Sequence, residues 1–145
     1  PAANIGREVQ PADGSVRATA ATDGRAANLV TPHFVVGVEA PSGIRSIVDM
    51  ADGCDIITAG ATPGAFAPVY EFTPIALDPV TDRRGMGLAR ATERTQRERG
   101  VLSRVEVAAA GSVFGRLRLD YDVAGCSAYS VVLKLTATFP CLTWP

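Results

Sequence analysis

The sequence offers few side chains that do chemistry, and their spacing narrows the choices. Of 145 residues, one is histidine, His33. A Ser–His–Asp triad would have to use it, and no Gly-x-Ser-x-Gly elbow is present. Cys–His catalysis would need the same imidazole. The cysteines are Cys54, Cys126 and Cys141, an odd number with no C-x-x-C pair, which argues against a zinc site or a disulfide scaffold. A fully extended chain between Cys126 and Cys141 would hold their thiols on the order of tens of ångströms apart. We therefore expect the cysteines to be small buried hydrophobes. There is no Walker A loop and no Gly-x-Gly-x-x-Gly after a strand. No enzyme, cofactor or metal is expected.

Two charged groupings remain. Asp120 and Asp122, two apart on a strand, share one face about 7 Å apart. The same face carries Arg116 and Arg118, so we read it as a solvated or assembly-contact face rather than an acid–base pair. The second grouping is basic: Arg83, Arg84, Arg90, Arg94, Arg97, Arg99 and Arg104, offset by Asp82, Glu93 and Glu98. Guanidinium forks suit phosphate oxygens or carboxylates on a neighbouring subunit. No aromatic residue is interleaved, which leaves base stacking unsupported, so nucleic acid is a secondary expectation behind inter-subunit ion pairs.

The elements that position these groups are strands. Leu117, Leu119, Tyr121 and Val123 alternate with Arg116, Arg118, Asp120 and Asp122, and Val131, Leu133 and Leu135 alternate with Val132, Lys134 and Thr136. Period two with a Gly/Ser break between the runs predicts an antiparallel hairpin, ended by Pro140. Upstream, residues 1–27 have no period and read as an extended arm, with residues 28–145 as a single β domain. Asn28–Ala40 reads as a strand whose start Pro32 places near an edge or a bulge. Ile44, Ile47, Val48 and Ala51 lie at helical spacing behind Ser42, which predicts a short helix, with a strand as competitor. Cys54–Ala59 reads as a strand. Ala65–Leu77, with Pro68 and Pro74, reads as an irregular edge strand. Leu88–Arg99 fits either a helix or a strand.

Hydrophobic residues are 47% and charged ones 20%, which is apolar enough for a core and thinly charged outside. The net charge of −1 provides no global field for nucleic acid or membrane. Lys134 is the sole lysine beside 13 arginines. No stretch approaches the roughly 18 apolar residues of a membrane span, and no signal peptide is visible. The start at Pro1 is consistent with loss of an initiator Met or with proteolysis.

Gly115-Arg-Leu-Arg-Leu-Asp-Tyr-Asp-Val123 is similar to the closing strand of small icosahedral RNA-virus coat jelly rolls. Tyr70–Pro79 followed by Gly85-Met-Gly-Leu88 resembles an earlier strand–loop–strand of that fold. Together these cover about a quarter of the chain. The resemblance implies a virion protein: a β-sandwich or jelly-roll-like barrel with one or two short helices. The spacing between the two stretches is too short for a complete coat, which favours a capsid-decorating or protruding protein. Its partners would be copies of itself or other capsid proteins. The alternative is a non-enzymatic β-sandwich that binds a glycan or protein ligand. Trp144 near the end of the chain is expected to pack on the sheet or into a neighbour.

Overall fold

The structure, a computed structural model, describes residues 14–57, 64–72 and 96–138. Nine strands run through them: β1 (Arg17–Ala20), β2 (Ala26–Val30), β3 (Phe34–Glu39), β4 (Gly43–Asp49), β5 (Val69–Phe72), β6 (Gln96–Arg99), β7 (Val101–Ala110), β8 (Phe114–Asp122) and β9 (Tyr129–Thr136). All pairings are antiparallel. β1–β4 form one sheet in chain order, β7–β9 a second, and β5 with β6 a two-stranded ribbon.

One core joins the two larger sheets. Leu29, Val36, Val38, Ile44 and Ile47 of the first meet Leu102, Val105, Leu117, Leu119, Leu133 and Leu135 of the second. Burying each such side chain contributes about 1.5–3 kcal/mol, which makes this layer the main source of stability. The layers approach closely at Gly115, where a Cβ would sit 2.6 Å from Leu29 and 2.9 Å from Val16. Gly43 has φ +95°, and a Cβ there would meet the Tyr121 hydroxyl at 2.6 Å, so the tight β3–β4 turn and the buried tyrosine both depend on glycine. The result is an open sandwich, not a barrel. Each larger sheet is a meander of sequential strands, whereas a jelly roll interleaves strands from two Greek keys.

The predicted hairpin is β8–β9, in register from Phe114↔Thr136 to Tyr121↔Tyr129. Leu117, Leu119, Tyr121, Val131, Leu133 and Leu135 are buried, while Arg116, Arg118 and Asp122 are exposed. Pro140 lies outside the described residues.

Several expectations are corrected. No helix occurs among the described residues. The segment read as a short helix is β4, and a bulge explains its helical spacing. Val38 pairs with Ile44 while Gly37 pairs with Ser46, which leaves Arg45 extra. Ile44 and Ile47, three apart, therefore both face the core. The same device acts in β7, where the register shifts between Leu102 and Arg104 and buries Leu102 together with Val105. Val101, which strict alternation with Val105 and Val107 would place inside, is 48% exposed.

The stretch 17–27, expected to belong to an arm, instead carries β1 and the start of β2. Their turn is closed by Gly24 at φ +66° and by the Asp23 carboxylate, which accepts the Arg25 N–H. Val16 and Ala27 are core residues. Residues 1–13 lie outside the described set. Asn28–Ala40 is two strands, not one, because Thr31 turns the chain. Its buried hydroxyl oxygen accepts the N–H groups of Phe34 at 2.9 Å and His33 at 3.2 Å. Cys54–Ile57, the described part of another expected strand, is reduced to an isolated antiparallel bridge on β4, Asp55 opposite Val48. The segment's backbone accepts the Asp49 N–H at the Cys54 carbonyl and donates the Ile56 N–H to the Ile47 carbonyl, and the Asp55 carboxylate adds bonds from the N–H groups of Ile47 and Ile57, both at 3.0 Å.

Candidate functional site

The outer face of the second sheet gathers the charged residues singled out by the alternating pattern. Pairing sets Arg104, Asp120 and Ser130 in one cross-strand row and Glu106, Arg118 and Val132 in the next. Opposite charges thus alternate both along and across the strands. Arg118 Nε donates to Asp120 Oδ1 at 2.9 Å, and the Ser130 hydroxyl donates to the same oxygen at 2.6 Å. The Ser103 hydroxyl donates to the Asp120 carbonyl at 3.0 Å. The Ser130 hydrogen bond is the largest influence on the Asp120 carboxyl; burial, next in size, opposes it, and the Arg118 hydrogen bond and charge with the charge of Arg104 bring the carboxyl below its usual range. Arg104 pairs with Glu106 at 3.4 Å. Further along, Arg116 and Lys134 both lie over the Phe114 ring, at 5.2 and 5.0 Å from its centroid.

This face is therefore largely satisfied within its own sheet. The exception is Asp122, which has no hydrogen-bond or ion-pair partner among the described residues. Asp122 and Asp120 belong to the wall of an open depression of about 620 Å³ beside the β8–β9 loop. Val101 and Tyr129 also line it. Tyr129 stands edge-on to Tyr121, with ring centroids 6.4 Å apart. Burial pushes the Tyr121 hydroxyl up to about 12. Sequence reasoning placed the two carboxylates on one face but gave no sign of the depression, because the loop that borders it has no periodicity.

The basic segment divides. Arg97 and Arg99 are exposed on β6, and Arg104 is on β7. Arg97 is paired with Glu71 across the ribbon at 2.6 Å. Arg97 and Arg104 are thus offset by carboxylates of the same chain, which weakens the case for phosphate binding. Arg83, Arg84, Arg90, Arg94 and Trp144 lie outside the described residues.

The cysteine expectation is corrected for two of the three: Cys54 and Cys126 are exposed, because the loops that hold them run over the sheets instead of entering them, and Cys141 lies outside the described residues. Asp52, by charge and hydrogen bonding, pushes the Cys54 thiol up. His33 sits in the β2–β3 turn, half-buried, and its carbonyl accepts the Met50 N–H at 2.8 Å, at the start of the turn that leads to Cys54. No group of three or more His, Cys, Asp or Glu residues that could hold a metal occurs among the described residues. Nor is any helix among them long and apolar enough to cross a membrane. No family pattern and no curated protein sequence matches the chain.

Proposed function

We propose that the protein is a structural subunit that assembles into, or attaches onto, a symmetric protein shell of the virion kind, with copies of itself or other shell proteins as partners. The observation that carries this reading is the β5–β6 ribbon. β6 continues into β7 through Gly100, whose N–H donates to the Pro68 carbonyl at 2.8 Å. Tyr70 anchors the base of the ribbon against the core and Gly125. Beyond that anchor every ribbon residue is exposed, including Val69 at 49% and Phe72 at 47%. An isolated two-stranded ribbon is at best marginally stable in water, so this one gains most from a surface that covers it. Its period places Val69 and Phe72 on opposite faces, which suits insertion between neighbours.

A capsid-associated subunit fits the meander sheets better than a complete jelly-roll coat does. The self-paired outer face of the second sheet shifts the expected contact from Arg116, Arg118, Asp120 and Asp122 to the ribbon. Sedimentation velocity over a wide dilution series tests the reading. Self-association that is lost in the double variant Val69→Ser/Phe72→Ser is expected. A monodisperse monomer at every concentration, unchanged by the double substitution, would refute self-assembly through the ribbon.

A further inference from the structure

The depression beside the β8–β9 loop borders the base of the ribbon, which contributes Arg99 to it, and its wall chemistry suggests a ligand of its own. Asp120 is fixed in place by Arg118 and Ser130 through one carboxylate oxygen, Oδ1. Its Oδ2 has no partner among the described residues and remains free to accept. Asp122, one pleat along the same face, offers a second unpartnered carboxylate. Two carboxylates, the hydroxyls of Ser103, Ser127 and Ser130, the guanidinium groups of Arg99 and Arg118, and an apolar patch at Val101 surround one open space of about 620 Å³.

Arg99 and Arg118 against Asp120 and Asp122 leave the wall without net formal charge. Such a wall selects neither an anion nor a cation. It suits a neutral molecule rich in adjacent hydroxyls, which donate to carboxylate and serine oxygens and accept from guanidinium N–H groups. The C–H face of a sugar ring would cover Val101. The hydrogen bonds among Arg118, Asp120 and Ser130 fix the acceptor before a ligand arrives, which lowers the ordering cost of binding. We infer that the depression bordered by Asp120, Asp122 and the β8–β9 loop is a binding site for a neutral carbohydrate, about one or two sugar units in size.

Saturation-transfer difference NMR on the full chain tests this, because it reads weak binding even to a large assembly. The probes are D-galactose, D-mannose, N-acetyl-D-glucosamine and lactose, with N-acetylneuraminic acid as the charged comparator. At least one neutral sugar is expected to bind with Kd in the range of about 1–10 mM. Asp122→Ala and Ser130→Ala should each weaken it by about tenfold, the loss expected for one hydrogen bond to a charged group. No transfer to any neutral sugar overturns the proposal, as does equal binding by Asp122→Ala. Preference for the charged sugar overturns the neutral class. None of these outcomes bears on assembly through the ribbon, which the Val69→Ser/Phe72→Ser variant reads separately.

Discussion

Asp120 shows how a single side chain ties the outer face together. Its folded-state carboxyl titrates below the ordinary value, so its contribution to stability is present above about pH 4 and is lost as pH falls through the lowered value. Removing the hydroxyl with Ser130→Ala takes away the largest cause of that shift. At neutral pH we expect a loss of about 1 kcal/mol, since Asp120 is partly solvated. Denaturant titrations at pH 7 and near pH 3 check the sign: the gap between wild type and variant should narrow at the lower pH. A gap that widens on acidification would show that the hydrogen bond favours the protonated carboxyl. At this scale the sequence was informative. Asp120 and Asp122 could be placed on one face from period two alone. Their differing fates, one clamped and one open, could not, because Ser130 and Arg104 reach Asp120 only through pairing with other strands.

At the scale of elements, regular alternation was legible and interrupted alternation was not. β8 and β9 keep strict period two, and both strands appeared in the sequence with their buried faces correct. The register of β4 shifts once and that of β7 twice, which changes the phase of burial, so Ile44 and Ile47 mimicked a helix and Val101 mimicked a core residue. Loops that supply backbone partners to an edge, as Asp55 does for β4, leave no periodic trace either. The β7 bulge makes a sharp prediction. Leu102→Ala should cost about 2–5 kcal/mol, as for a fully buried leucine. Val101→Ala should stay within about 0.5 kcal/mol in the isolated subunit. Thermal and urea unfolding of the two variants would check the phase. The reverse ranking would mean that the bulge at Ser103 is absent in solution.

At the scale of the whole molecule, the sandwich is closed on its inside and unfinished at the ribbon. The two meander sheets bury a shared core, and the charges on the outer face of the second sheet are largely paired among themselves. Val69 and Phe72 remain open to water on an element too thin to stand alone. The connection from Phe72 to Gln96, which holds Arg83, Arg84, Arg90 and Arg94, begins and ends on that element. Coverage of the ribbon by a neighbouring subunit is the central claim, and amide hydrogen exchange reads it directly. In concentrated, assembled protein the amides of Val69–Phe72 and Gln96–Arg99 should exchange much more slowly than in dilute protein, while those of β8 remain protected in both. Equally fast exchange of the ribbon in both states, with β8 protected, would contradict it.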